Sequence, residues 1–320
     1  MKIVVLDGRI EQPYALDWSK LAALGELYIH EAVPSEAGTL ISAVGDAEVA
    51  VVNKVDMNAD VIAGCPNLKM ITVLATGYNI IDVDAASARG IAVCNLPSYG
   101  TEAVTQHAIA LLLELTNRVG RQNAEVHAGG WVDDPLGNYW ECPYTELAGK
   151  TLGVFGFGRI GRQVGRIASA LGMRVIACSR TETEEGRKIA NYVNFEALLR
   201  ESDVLSLNCP LTRETQRVID GAAVKRMKPG AILLNVSRGG LVEEQAVADA
   251  LRSGKLAGAA VDVVSEEPIR ADNPLLSAPN CIITPHTAWA AYECRQRILD
   301  LTADNVCAFA GGHPIHVVNP

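Results

Sequence analysis

The chain of 320 residues has no apolar run of membrane-spanning length; the run over 108–113 is interrupted by Glu114. It has no excess of positive charge: 28 Lys and Arg stand against 37 Asp and Glu, a formal net charge of −9. That balance argues against nucleic acid or an anionic membrane as partner, while a small anionic substrate, which responds to local charge, stays open. The eight cysteines include no C-x-x-C pair, and most sit in apolar runs as buried free thiols do. A reducing compartment, the cytoplasm, is the expectation. There is no constellation with metal-ligand spacing, so no metal is expected, and no repeat or low-complexity segment. Met1-Lys2 leads directly into the strand-like Ile3-Val4-Val5-Leu6 without a signal-peptide layout.

What the chain does have is concentrated between Lys150 and Arg180. Residues 151–155 read as a short buried strand. Gly156-Phe157-Gly158-Arg159-Ile160-Gly161 then gives G-x-G-x-x-G, and 162–171 follows with helical spacing of apolar residues before a second strand at 174–178. Strand, glycine turn, helix and strand within about 30 residues make a dinucleotide-binding fingerprint. Gly156 permits the tight turn, Gly158 lets a pyrophosphate approach the backbone, and Gly161 lets the helix pack close to the strand. Free N–H groups and the positive end of the helix dipole then face the phosphates.

An NAD site places an acidic residue at the end of the second strand, where it accepts hydrogen bonds from the ribose 2′-hydroxyl. Here that place is Cys178-Ser179-Arg180-Thr181, with no carboxylate before Glu182. Ser179 and Thr181 can donate to a 2′-phosphate, and Arg180 can lie against it or stack on adenine. The expected cofactor is NADP(H), with NAD(H) as the alternative.

Short strands alternate with helices along the whole chain. Strands are predicted over 2–6, 27–30, 49–52, 69–74 and 91–94, all buried, with helices around 19–24, 36–44, 59–63 and 84–88 between them. One long helix is predicted over about 102–128. It leads into Gly129-Gly130-Trp131 and an irregular stretch through Tyr144. A second series supplies strands near 174–178, 204–208, 231–235, 258–263 and 281–284. A last helix, about 292–310, is expected to pack back on the first domain. The expected organisation is a discontinuous substrate domain, 1–99 with 287–320, and a dinucleotide-binding domain, 100–286. Two crossings make a hinge, and a cleft between the two α/β domains is the expected ligand site.

Three strand ends of the second series carry chemistry. Asn235-Val236-Ser237-Arg238-Gly239-Gly240 places an arginine past a strand, Asp262 to Pro268 places an aspartate and Glu267, and Thr284-Pro285-His286-Thr287-Ala288-Trp289 places a histidine. Ligands of doubly wound sheets bind outside the carboxyl ends of strands, so the three ends should face one site. Each residue also fits a plain role: a surface ion pair for Arg238, a solvated turn for Glu267, a loop cap for His286, a turn cap for Asp262. Together beside a nicotinamide site they suit hydride transfer to a 2-keto acid. Arg238 holds the carboxylate and polarises the carbonyl, His286 protonates the oxygen, and Glu267 orients His286.

Those motifs, in that order, resemble the D-isomer-specific 2-hydroxyacid dehydrogenases, and the resemblance covers nearly the whole chain. Within the family the chain looks most like the glycerate dehydrogenases and hydroxypyruvate (glyoxylate) reductases. L-A-T-G-Y-N at 74–79, N-L-P-S-Y-G-T at 95–101 and W-E-C-P with E-L-A-G-K between 140 and 150 carry that likeness. The resemblance implies Arg238, Glu267 and His286 as the catalytic set and Asp262 as the residue that holds the nicotinamide carboxamide. It implies a substrate-carboxylate loop at Leu74, Ala75, Thr76 and Gly77, in which Thr76 also touches the cofactor. Cys209, Pro210, Thr215, Val236, Ser237 and Ala288, together with Arg238 and His286, complete the expected cofactor-binding set, with Trp140 expected at the substrate. The expected fold class is α/β with two doubly wound parallel-sheet domains, one flavodoxin-like for substrate and one Rossmann for cofactor. A homodimer is implied through the helix and arm at 102–145, from which Trp131, Tyr139 and Trp140 could reach a partner's site. The alternatives are a dehydrogenase of another 2-hydroxy acid, or a non-catalytic nucleotide-sensing module on the same fold.

Overall fold

The structure is a computed structural model that describes residues 1–12, 15–133 and 144–319. Two compact units divide the chain, Met1–Gly100 with Ala290–Pro320, and Thr101–Trp289.

The first unit runs β1 (Lys2–Val5), α1 (Ser19–Ala22), β2 (Glu26–Ile29), α2 (Ala37–Val44), β3 (Val49–Val52), α3 (Ala59–Gly64), β4 (Met70–Val73), α4 (Val83–Ala88) and β5 (Ala92–Cys94). Its strands pair in parallel in the order β2-β1-β3-β4-β5. Val-Ala-Val-Val in β3 and Met-Ile-Thr-Val in β4 are buried at every position, as continuous apolar strands covered on both faces must be. The helices between them start where a side chain supplies an acceptor: Asn58 Oδ1 takes the Val61 N–H at 3.0 Å and Asp82 Oδ1 the Ala85 N–H at 2.9 Å. The expectation of a buried strand at 27–30 is corrected. β2 is an edge strand and largely exposed, with Tyr28 and Ile29 among the exposed apolar side chains. Apolar composition alone does not distinguish an edge from a centre.

The second unit opens with α5 (Thr101–Asn117) and α6 (Val119–His127). It continues with β6 (Thr151–Phe155), α7 (Arg159–Ala170), β7 (Arg174–Cys178), α8 (Glu184–Arg187), β8 (Asn191–Tyr192), α9 (Phe195–Glu201) and β9 (Val204–Leu207). After these come α10 (Gly221–Arg226), β10 (Ala231–Asn235), α11 (Glu244–Arg252), β11 (Leu256–Val261) and β12 (Cys281–Ile283). All seven strands are parallel in the order β12-β11-β10-β9-β6-β7-β8. Alternate residues of each strand serve opposite faces. Leu233 and Leu205 join one core with α9, α10 and α11; Leu234 and Val204 join another with α5 and α7. Strand order reverses between β6 and β9, which puts the glycine turn after β6 at the switch point.

The single helix expected over 102–128 is two helices. Arg118 between them lies in the left-handed region at φ 51°. Thr116 Oγ1 turns back to Leu112 O at 2.9 Å, a bond that bends helices, and both Glu114 carboxylate oxygens accept the Gly120 N–H at 3.2 Å, starting α6 afresh. The final helix, α12 (Tyr292–Ala310), packs on α1 and β4 of the first unit. The segment after it runs antiparallel along the open edge of β5. Val318 N–H meets Val93 O at 2.8 Å, and Asn319 Oδ1 accepts the Val93 N–H at 2.7 Å.

Asp203, at the start of β9, ties β6 to α10's exit. Its Oδ2 accepts the Thr151 N–H at 2.8 Å and its Oδ1 meets Lys228 Nζ at 2.9 Å. Burial works against its charge, but the Thr151 N–H and the Lys228 ammonium outweigh it, so the carboxyl sits below its ordinary 3.8. A carboxyl depressed on folding stabilises above its unfolded value and loses that contribution as pH falls through the folded one. Asp203→Asn is therefore expected to lower the urea midpoint at pH 7, with a smaller gap to the parent protein at a pH below the ordinary carboxyl value of 3.8. Equal gaps at both pH values would contradict this account of the pair.

Candidate active site

The glycine turn is built by close contacts. Gly156 sits at φ 91°, and a Cβ there would meet the backbone of Asn208 and Cys209 at 2.6 to 2.7 Å, where the chain leaves β9. A Cβ on Gly161 would lie 2.3 Å from Gly156 O. Gly158 differs: it is the N-cap of α7, has no side-chain cap, and a Cβ there would meet nothing within 4 Å. An open approach to uncapped helix amides is what a pyrophosphate requires, so the turn fits a dinucleotide. Phe157 is placed differently from Arg159 and Ile160. Its ring is buried in the core, edge-on to Tyr192 at 5.7 Å, so its backbone alone is available to a ligand.

At the end of β7, Ser179 is half-buried, while Arg180 and Thr181 are exposed. Glu182, the first carboxylate after the strand, is engaged by Arg187 at 2.6 Å, and Arg187 lies over Tyr192. Burial pushes the Cys209 thiol up to about 11 and the Cys178 thiol upward as well, so both are neutral beside the turn at pH 7. Thr215 Oγ1 donates to Pro210 O at 2.8 Å and accepts the Thr212 N–H at 2.7 Å; Ser237 Oγ donates to Cys209 O at 3.0 Å. The polar groups expected at the cofactor thus also knit the loops after β9 and β10. Val236 and Ala288 are buried.

Arg238, Glu267 and His286 follow β10, β11 and β12. Asn235, fully buried at the end of β10, holds the arginine loop: its Oδ1 accepts the Ser237 N–H at 3.1 Å and its Nδ2 donates to Arg238 O at 2.9 Å. A Cβ on Gly239 would fall 1.9 Å from the Val264 carbonyl carbon, so only glycine lets the loops after β10 and β11 cross this closely. Glu267 Oε1 accepts the Val264 N–H at 3.3 Å, and Glu267 Oε2 meets His286 Nδ1 at 2.6 Å. With Nδ1 engaged by the carboxylate, Nε2 is left for a ligand. Both side chains are about two-fifths exposed, at 41% for His286 and 38% for Glu267. Arg238 is exposed and donates to Ser237 O at 2.7 Å; no bond joins it to Glu267 or His286.

His286 itself lies at φ 54°, in the left-handed region. Asp262, 1% exposed, holds the backbone there. Its Oδ1 accepts from Thr284 Oγ1 at 2.6 Å and from the Thr287 N–H at 2.9 Å, its Oδ2 accepts the Ala288 N–H at 2.8 Å, and its carbonyl takes the His286 N–H at 2.8 Å. Of the two roles weighed for Asp262, the turn-capping one is present in the structure. Thr284 donates to Asp262 and so accepts from His107 Nε2, 3.0 Å away on α5. Asn235, His107 and Thr284 escaped the sequence reading; a buried asparagine and a threonine at strand ends were the available signals.

In the first unit, the loop after β4 places Leu74 in the core, with its N–H donated to Val52 O at 2.8 Å. The donors left for an anion are the N–H groups of Ala75, Thr76 and Gly77. Thr76 Oγ1 donates to Leu96 O at 2.7 Å. Trp140 and Tyr139 lie outside the described residues, and Trp131 is 61% exposed.

The family model for the NAD binding domain of D-isomer specific 2-hydroxyacid dehydrogenases matches residues 109–288. The chain is 47% identical to a hydroxypyruvate reductase of Blautia hydrogenotrophica, covering all of both proteins. It is 40% identical to a glycerate dehydrogenase of Methylorubrum extorquens over 85% of each. Among solved structures, a Thermus thermophilus protein superposes with a TM-score of 0.86 at 34% identity, covering 99% of this chain and 100% of that one.

Because three donors converge on one carboxylate, Asp262→Asn leaves an amide NH2 facing an N–H or the Thr284 hydroxyl. The amides of Thr287 and Ala288 are expected to exchange with deuterium about tenfold faster or more, while those of β6 keep their protection. Unchanged exchange at 287–288 would contradict the role given to this carboxylate.

Proposed function

The chain belongs to the D-isomer specific 2-hydroxyacid dehydrogenases, and from that premise we propose that it reduces a small 2-keto acid, hydroxypyruvate or glyoxylate. The product is the D-2-hydroxy acid, glycerate or glycolate. The observation that carries this reading is the Glu267–His286 hydrogen bond at 2.6 Å, which fixes an accessible imidazole through Nδ1 and leaves Nε2 for a ligand. The curated names of the two relatives support the choice of a small acid.

Arg238, exposed on its own loop, binds the keto acid's carboxylate and polarises the carbonyl. Within the first unit, the N–H groups of Ala75, Thr76 and Gly77 are the donors offered to a carboxylate. The glycine turn would hold the pyrophosphate of a reduced dinucleotide, whose nicotinamide would supply the hydride for C2. His286 delivers a proton from Nε2 to the carbonyl oxygen as charge develops there, and Glu267 keeps the ring in place throughout. NADPH is the preferred cofactor in this proposal. Ser179, Arg180 and Thr181 stand where a carboxylate would repel a 2′-phosphate, and Glu182 is occupied by Arg187.

The proposal extends to a homodimer through α5, α6 and the arm. Val119, Val126, Trp131 and Val132 are exposed apolar side chains there and support it. A cytoplasmic location is supported by the free state of the seven described cysteines. Among the described residues no helix is long and apolar enough to cross a membrane.

Replacing His286 by Ala or Arg238 by Ala tests the assignment. Each is expected to lower kcat/KM about 10²- to 10⁴-fold, with the dissociation constant of NADPH, read by fluorescence, held within about threefold. Near-normal turnover by Arg238→Ala would remove the catalytic assignment. Tight NADPH binding by the parent protein without any turnover would favour the sensor.

A further inference from the structure

The stretch 95–101 has no part in the chemistry above, yet its first residue joins three segments of the first unit. The Asn95 N–H donates to His316 O at 3.1 Å, its carbonyl accepts from Asn305 Nδ2 at 3.1 Å, and its own Nδ2 donates to Thr76 O at 2.8 Å. Asn305 lies fully buried on α12. Its Nδ2 also reaches Thr72 Oγ1 at 3.5 Å, and its Oδ1 meets His316 Nδ1 at 2.8 Å. With both acceptors on the Nδ2 side, Asn305 presents its oxygen to the imidazole, so His316 carries its proton on Nδ1.

The peptide bond is planar and trans, so the C=O of one residue and the N–H of the next point in opposite directions. Leu96 N–H holds Ala75 O at 3.0 Å, which turns the Thr76 N–H away from the segment after β5. Asn95 Nδ2 holds Thr76 O, which turns the Gly77 N–H away from it too. The Leu74 N–H is already engaged with Val52 O. A side chain that never touches an anion can therefore decide where the last donor of the loop points.

We propose that Asn95 is a positioning residue for the substrate carboxylate. It aims the Gly77 N–H through Thr76 O, and Asn305 and His316 hold Asn95 in register. This rests on the reading of 74–77 as the carboxylate-binding loop. Residues 313–319, from this viewpoint, are a splint for that loop as well as a cover for the edge of β5.

Asn95→Ala removes the bond to Thr76 O and leaves both backbone bonds of Asn95 intact. A hydrogen bond to a charged group is at stake, so KM for hydroxypyruvate is expected to rise about tenfold or more, with kcat changed less than about twofold. The Kd of oxamate, a carboxylate mimic of the keto acid, should rise by the same factor when measured by calorimetry on NADPH-loaded protein. The Kd of NADPH should stay put. His316→Ala, at an exposed side chain, should raise both constants in the same direction by about two- to threefold, and it carries the test if Asn95→Ala does not fold. Asn58→Ala, which removes only the cap of α3, should lower Tm without moving KM. An oxamate Kd within about twofold of the parent value in Asn95→Ala, or an NADPH Kd that shifts as far as KM does, would overturn the proposal. Oxamate binding does not require turnover. A parent protein that binds oxamate but reduces no keto acid removes the functional reading alone; one that binds no oxamate removes both.

Discussion

The Asp262 carboxylate receives the Thr284 hydroxyl and the Thr287 and Ala288 N–H groups at a site closed to solvent, and the loop after β12 takes its shape from them. That loop holds His286 in a left-handed conformation, which costs a non-glycine residue of the order of 1–3 kcal/mol. Three hydrogen bonds to one buried carboxylate, together with the His286 N–H on the Asp262 carbonyl, are sufficient to offset it. With the backbone fixed, a single bond from Nδ1 to Glu267 sets the ring. Asn235 does the corresponding work at Arg238, and the bare Gly239 lets the arginine and glutamate loops cross. The chemistry of the second unit is thus suspended from two buried polar side chains at the ends of β10 and β11.

Much of this was readable from residues alone, for physical reasons. Parallel strands covered on both faces must be continuously apolar, so 49–52, 151–155, 174–178 and 231–235 announce themselves without reference to the rest of the chain. G-x-G-x-x-G is equally local: the turn, the close crossing over β9 and the helix start lie within six residues. The same holds for strand ends, where Arg238, Glu267 and His286 stand out because charge interrupts an apolar run.

What escaped depends on strand position in a sheet and on which polar groups pair, some of them local and some far apart in the chain. The exposure of β2 follows from its place at the sheet edge, which its own four residues do not encode. The break at Arg118 follows from Glu114 and Thr116 bonding to backbone, inside a stretch whose apolar spacing runs through without a fault. His107 is 177 positions from Thr284, and Asn305 is 210 positions from Asn95. A polar side chain that will be buried and satisfied looks, in sequence, like one on the surface.

The measurement that tests the account most directly is the initial rate of reduction of hydroxypyruvate, glyoxylate, pyruvate and phenylpyruvate by the unaltered protein, each with NADPH and with NADH. The account predicts the highest kcat/KM for hydroxypyruvate or glyoxylate with NADPH, and a D-configured product from hydroxypyruvate. Turnover with no pair would contradict it outright, and a preference for NADH would contradict the part assigned to Ser179, Arg180 and Thr181.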